Sequence, residues 1–254
     1  MILNKITILK DNYVWILNDS NNNCIIIDPG LSYPVFKQLE KKQLFPVAIL
    51  LTHNHIDHIG GVKDIKKKFP KIMIFGSNKT KQNCVNKIVK HCEILNILDK
   101  KFYVFYTPGH TKYDVTYYHR PYIFCGDTVF SGGCGRVYKM QYVQMYNSIK
   151  LISSFPNESM ICCAHEYTLS NLEFSLSILQ EGCIKDDYKK IKALLMHGSL
   201  PLPSSILFEK SFNLFFRLNE NFLKELIGLD QYSSDLDAFI KLRLKKDLFG
   251  AKRD

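Results

Sequence analysis

The chain has no uninterrupted apolar run of the roughly 18 residues that a bilayer-crossing helix needs, so no membrane span is expected. Its first residues, "MILNKITILKDNYVWIL", alternate apolar with polar positions and lack a basic stretch followed by a continuous apolar core, so no export leader is expected either. None of the eight cysteines stands at C-x-x-C spacing from another, and several sit inside strand-like runs such as "YIFCGD" and "MICCA". A disulfide framework is therefore not expected, and reduced thiols in a cytoplasmic setting are. A Ser/His/Asp machinery is missing too, because the glycine-rich "SGG" and "GCG" lack the strand–turn–helix context of a nucleophile elbow. Acidic residues are the scarcer sign, 24 against 34 Lys and Arg, for a formal net charge of +10. The lysines are scattered through runs such as "DIKKKFPK" and "KLRLKKD", with no basic arm and no aromatic-basic pattern. Nucleic acid is not the expected partner on that pattern; a solvated lysine face or an anionic small molecule is.

What is present is the material of a folded protein. The 254 residues are 46% hydrophobic, enough for an ordinary buried core. "KITIL", "YVWIL", "CIIIDPG", "VAILLT", "KIMIFG", "FYVFYTPG", "VTYYH", "YIFCGD" and "MICCAH" read as strands ending at Gly, Pro, Asp or His. Helical spacing occurs between them over 33–43, 60–69 and 141–154. After about Tyr167 the strand signal fades, and "LSNLEFSLSILQE", "DDYKKIKALLMHG", "RLNENFLKELIG" and "SDLDAFIKLRLKKDLF" read as helices. The expected plan is a layered α/β domain over 1–166 followed by a smaller α-helical domain over 167–254.

Five of the eight histidines fall at strand ends or in the loops after them. "THNHIDHIG" places His53, His55, Asp57 and His58 within six positions; His110 stands in "YTPGHT", Asp127 in "FCGDT" and His165 in "CCAHEYT". Imidazole nitrogen and carboxylate oxygen are ligands of zinc and iron, and five His with two Asp divide into two sets of three plus one carboxylate able to bridge. Seven ligands exceed what one tetrahedral ion can use. His91, His119 and His197 have no such context and read as ordinary polar residues. Asp28, in "IIIDPG", reads as a turn residue near the site that supports a ligand. Cys134, in "GGCGR", has neither a helix start nor an adjacent His and reads as structural.

"THNHIDH" is similar to the T-H-x-H-x-D-H signature of the metallo-β-lactamase superfamily, a four-layer αββα sandwich with its metals at one edge. Within it the chain resembles the glyoxalase II (hydroxyacylglutathione hydrolase) family over essentially its whole length, through "DNYVWIL", "IIIDPG", "TPGHT", "GDTVFSGGCGRVY", "AHEYT", "NLEF" and "LRLKKD". The resemblance implies that His53, His55 and His110 hold one divalent metal, that Asp57, His58 and His165 hold another, and that Asp127 bridges them. Zinc is expected first, with iron or manganese as alternatives. It also implies a glutathione site at Arg136, Tyr138, Tyr167, Arg243 and Lys246, and a monomeric enzyme that hydrolyses S-D-lactoylglutathione through a metal-bridging hydroxide. Asp57 is then a ligand that orients the nucleophile, not a proton donor, because a thiolate departs readily. The family often reads Asn-Pro-Phe-Leu-Arg where this chain has "NLFFR", and "YKMQYVQMY" is less acidic than the pattern; neither departure removes a ligand. Two other activities fit the same loop: a mononuclear-iron persulfide dioxygenase, which would not need the C-terminal "RLKK" helix, and a nucleic-acid-processing superfamily member, suggested by the charge.

Overall fold

The structure, a computed structural model, describes residues 1–80, 85–180, 182–197 and 201–251. β1 (Ile2–Ile8), β2 (Asn12–Asn18) and β3 (Asn23–Ile27) form an antiparallel meander. α1 (Ser32–Lys41) leads to β4 (Phe45–Leu50), and the pair α2 (Ile56–Ile59) and α3 (Val62–Lys68) leads to β5 (Met73–Gly76) and the short β6 (Lys87–Ile88). Helical crossovers allow β3, β4 and β5 to run parallel, and β6 pairs parallel with β5, giving the order β1-β2-β3-β4-β5-β6. β2 is buried at every position, which is why "NYVWILN" reads as an almost continuous apolar run. Val14 and Ile16 share a core with Val35 and Leu39 of α1 and Val62 and Ile65 of α3. Trp15, on the opposite face of the strand, donates its Nε1–H to Cys163 O at 2.9 Å.

β7 (Ile94–Ile97), β8 (Lys100–Tyr106), β9 (Val115–His119) and β10 (Tyr122–Gly126) follow as antiparallel neighbours, then a ribbon of β11 (Val129–Phe130) and β12 (Gly133–Cys134). α4 (Tyr142–Ser153), β13 (Met160–Cys163), α5 (Thr168–Ile178), α6 (Gly182–Met196), β14 (Ser204–Ser205), α7 (Ile206–Phe212), α8 (Asn221–Leu226) and α9 (Asp235–Ala251) complete the chain. The second sheet has the order β14-β13-β10-β9-β8-β7. Tyr117 ties it to the first sheet by donating its hydroxyl to Leu51 O at 3.0 Å, and burial pushes that hydroxyl well above its usual pKa. The fold class is the expected one, an αββα sandwich followed by a helical segment.

By contacts the chain forms two compact units whose segments interleave. The first comprises Met1–Thr107, Tyr113–Gly126 and Cys162–His165; the second comprises Pro108–Lys112, Asp127–Ile161 and the chain from Glu166 onward. The helix read over 60–69 is α3, Val62–Lys68; the short α2 before it was not expected, and Asp57 and His58 lie on it instead of in a loop. "RLNENFLKELIG" is helical only over α8, because Arg217 is held in the preceding turn by Glu220, Nε to Oε1 at 2.9 Å. α7 was not expected; Ser205 caps it by accepting from Phe208 N at 3.1 Å. Cys24, Cys92, Cys125, Cys134, Cys162 and Cys163 are thiols outside any disulfide, while Cys84 and the Cys183 side chain lie outside the described residues.

Within the second unit, Glu209 of α7 is fully buried and organises the loop before β12. Its Oε1 accepts from Ser131 Oγ at 2.7 Å and from Ser204 Oγ; its Oε2 accepts from Gly132 N at 2.9 Å and Asn213 Nδ2 at 3.0 Å. Burial raises its pKa against the pull of these bonds. A proton on Oε1 fits, because a hydroxyl can accept as readily as donate, whereas the two N–H donors both face Oε2. Glu209→Gln reproduces that pattern and is expected to shift the denaturant midpoint little. Glu209→Ala strands Gly132 N and Asn213 Nδ2 and is expected to cost about 3 kcal/mol. Equal losses in the two variants would show that the hydrogen-bond pattern is not what matters.

Candidate metal centre

β4 delivers the chain to Thr52, after which His53 lies outside any regular element, His55 is extended and α2 begins at Ile56. The loop "DPG" presses against this turn: a Cβ on Gly30 would stand 1.8 Å from Asp57 O, so only glycine lets the two backbones meet. In the first unit this brings Asp57 and His58 together with His165 from the end of β13, their ligand atoms all within 4.8 Å of one another. The rings of His53 and His58 lie 4.0 Å apart between centroids.

Four of the five imidazoles, those of His53, His58, His110 and His165, are oriented from behind. His58 Nδ1 faces Asp28 Oδ2 at 3.0 Å, His165 Nδ1 faces Asp11 Oδ1 at 2.8 Å, and His53 Nδ1 faces Thr52 Oγ1 at 3.1 Å. In the second unit His110 Nδ1 faces Arg136 O at 3.1 Å. With Nδ1 engaged in each case, Nε2 is the atom presented on the other side. Within each unit, pairs of these atoms are spaced as two ligands on a common ion would be: in the first, His53 Nε2 to His55 Nδ1 3.0 Å, His165 Nε2 to Asp57 Oδ2 3.4 Å and His58 Nε2 to Asp57 Oδ2 3.5 Å; in the second, His110 Nε2 to Asp127 Oδ2 3.3 Å. Donors about 2.0–2.2 Å from a metal are roughly 3.0–3.5 Å from each other, so the donor set fits a divalent ion of the zinc or iron kind. Asp28 also lies close to His53 and His58, yet both its oxygens are taken up by Thr52 and by His58 Nδ1. Its place is behind the candidate ligands.

Hydrogen bonds from His165, then His58, hold the Asp57 carboxyl far below the ordinary carboxylate range, against the opposing effect of burial. It therefore remains an anion, suited to a cation and unsuited to proton donation. Asp127 stands just before the second unit's ribbon, and a Cβ on Gly135 would stand 1.9 Å from Asp127 O, so the "GCG" segment runs directly against its backbone.

Four of the expected substrate residues, Arg136, Tyr167, Arg243 and Lys246, line one pocket of ≈ 320 Å³ in the second unit, together with Phe130 and Phe249. Tyr138 is not among its lining residues; it is exposed, with Lys139 Nζ 5.0 Å from its ring centroid. Lys246 Nζ donates to Ser170 O at 3.2 Å. Arg243 is buried, and its Nη1 donates to Cys134 O at 3.0 Å while Nη2 meets Asp247 Oδ1 at 2.8 Å, so this cation has a packing duty that the helix pattern alone does not disclose. Burial raises the Cys134 thiol above its usual pKa, more than Arg243 lowers it, which favours the structural reading.

Sequence reasoning passed over Asp11, Asn12 and Thr52. The signal that could have found them is chemical: every ligating imidazole needs a partner for its other nitrogen, and "DNY" supplies a carboxylate and an amide at a strand start.

Two family models match the chain, the hydroxyacylglutathione hydrolase C-terminus over residues 166–249 and the metallo-beta-lactamase superfamily over 9–73. A hydroxyacylglutathione hydrolase of Buchnera aphidicola subsp. Acyrthosiphon pisum is 56% identical over 250 residues, 98% of this chain and 100% of the relative. One from Klebsiella pneumoniae is 44% identical over 251 residues, again 98% and 100%. Among solved structures, ETHE1 from Myxococcus xanthus aligns with a TM-score of 0.67 over 96% of this chain and 90% of its own, at 20% identity, a likeness of fold.

Proposed function

The chain belongs to the hydroxyacylglutathione hydrolase (glyoxalase II) family of the metallo-β-lactamase superfamily, and from that premise we propose that it converts S-D-lactoylglutathione to glutathione and D-lactate at a centre of two divalent metals, zinc first. His53, His55 and His110 are the ligands proposed for one ion, Asp57, His58 and His165 those for the other, with Asp127 shared. The observation that carries the proposal is the set of imidazoles supported through Nδ1, at His53, His58, His110 and His165, whose Nε2 atoms lie at ligand spacing from a neighbouring His or Asp. When bound, such a pair supplies a nucleophile from water at neutral pH and polarises the thioester carbonyl.

The chain's own residues do the rest. Asp57, ionised and held by three hydrogen-bonding neighbours, keeps the nucleophile oriented and does not compete for its proton. The cations of the ≈ 320 Å³ pocket suit the two carboxylates of a glutathionyl group, and the rings of Phe130, Tyr167 and Phe249 suit its apolar stem. The departing thiolate needs little acid assistance, and no residue is assigned to give it. The same reading takes the chain as a cytoplasmic monomer without a nucleic-acid partner; among the described residues no helix is long and apolar enough to cross a membrane.

The test is turnover of S-D-lactoylglutathione by protein of measured metal content, with thiol release and D-lactate as readouts. Oxygen uptake with a persulfide and one iron per chain, without thioester cleavage, would instead make the dioxygenase reading correct. For the pocket, Lys246→Ala is expected to raise KM about tenfold to a hundredfold with kcat little changed, as loss of one charge-assisted hydrogen bond predicts. Arg243→Ala is expected to raise KM and also to lower the denaturant midpoint, since Cys134 O and Asp247 lose their partner. Hydrolysis of a small thioester without glutathione carboxylates should hardly notice Lys246→Ala; equal damage to both substrates would remove this residue from the substrate site.

A further inference from the structure

We infer that the dipeptide Asp11–Asn12 is a positioning element for one metal set only, the one made by Asp57, His58 and His165; the inference rests on the two-metal reading above. Asp11 Oδ1 meets His165 Nδ1 at 2.8 Å, and the next residue, Asn12, donates Nδ2 to Asp57 Oδ2 at 2.8 Å. The same amide nitrogen stands 3.3 Å from His165 Nε2. Two adjacent side chains thus fix a histidine and a carboxylate that lie 108 positions apart in sequence (165 − 57).

The backbone explains why this dipeptide can do so. Asn12 and His165 form an isolated antiparallel bridge, and Tyr13 N donates to Ala164 O at 2.7 Å, so the start of β2 is stitched to the end of β13 where His165 leaves the sheet. Alternation along the strand sends Tyr13 inward beside Trp15, 5.6 Å between ring centroids, and leaves Asn12 facing the ligands. Asn12 is buried, and its amide cannot lose a proton, so it gives Asp57 a fixed donor whatever the pH.

The two partners act differently. A carboxylate on Nδ1 keeps the proton there and makes Nε2 a better electron donor to a cation. An amide on one oxygen of Asp57 limits the rotation of the carboxylate, so that it meets a metal in one orientation. Neither contact touches His53, whose support is Thr52. Asp28, by comparison, holds both Thr52 and His58 and so reaches into both sets.

The selectivity is the testable content. Purified protein is stripped with chelator and titrated with Zn2+ against a chromogenic competitor, and with Co2+ read by its visible absorption. Wild type is expected to take two ions per chain; one ion only would overturn the two-metal reading and this inference with it. Asp11→Ala and Asn12→Ala are each expected to weaken one of the two binding events about tenfold to a hundredfold and to leave the other within a factor of two or three. Asp11→Asn, which keeps an acceptor for Nδ1–H, is expected to fall between wild type and Asp11→Ala, a grading that mere loss of packing would not produce. The melting temperature of the metal-free protein should change little in all three. With wild type at two ions, equal weakening of both sites, no weakening of either, or a metal-free Asp11→Ala that is already unfolded would each overturn the assignment.

Discussion

Asp127→Ala is expected to lower kcat on lactoylglutathione by about a thousandfold or more and to cut bound metal from about two ions per chain to one or fewer. A metal-derived nucleophile and carbonyl polarisation each supply several kcal/mol, and each 1.36 kcal/mol is a factor of ten in rate. Asp127 is the ligand proposed to serve both ions, so its loss removes a shared negative charge as well as a donor, and the two cations are left to repel. Two neighbouring contacts stay in place when its side chain is shortened: Gly135 N donates to Thr128 O at 3.2 Å, and His110 Nδ1 faces Arg136 O. The metal-free variant should therefore melt near wild type. Full metal occupancy with near-normal turnover would remove the bridging role, and full occupancy with lost turnover would move Asp127 from holding metal to acting on substrate.

The clustering of His and Asp was legible because a metal site would demand rare side chains at strand ends, and the chain concentrates them there: "VAILLT" runs straight into His53 and "MICCA" into His165. The long apolar strands were legible for the same reason, since few other arrangements accommodate "CIII" or "YVWIL". Legibility failed where local chemistry is atypical. β7 and β8 join through Leu98 and Asp99, both at positive φ (54° and 56°), with Ile97 opposite Lys100. Such a two-residue turn favours Asn-Gly or Asp-Gly, so "ILDK" carries no hairpin signal. The interleaving of the two units was equally hidden, because contact between residues distant in sequence leaves no periodicity to read. Arg243 shows the limit from the other side: helical spacing places it beside Lys246 on one face but says nothing of the carbonyl and carboxylate that occupy its guanidinium. Asp11 and Asn12 needed the β2–β13 stitching to become visible at all.

Asp28→Asn is expected to cost about a hundredfold to ten-thousandfold in kcat with the fold intact, a large effect for the exchange of one oxygen for nitrogen. Asp28 sits at φ 51°, a left-handed conformation that Asn tolerates, so the backbone has no reason to move. Its Oδ1 accepts from Thr52 N at 2.8 Å; its Oδ2 takes Thr52 Oγ1 at 2.6 Å and His58 Nδ1 at 3.0 Å. An asparagine can keep its oxygen on Thr52 N, and then an N–H group points at His58 Nδ1, which can meet it only as an acceptor. The ring proton must move to Nε2, the atom meant for metal. The wrong tautomer excludes a ligand without displacing it, and a comparable Asp-to-Asn exchange behind a catalytic histidine costs about 10⁴ in kcat elsewhere. Thr52 Oγ1 would be disturbed as well, and with it His53, so both ions should weaken, unlike the one-sided loss expected at Asp11. Metal titration and kcat together decide the matter. An Asp28→Asn protein that binds two ions at wild-type affinity and turns over normally would show that His58 does not depend on this carboxylate for its tautomer.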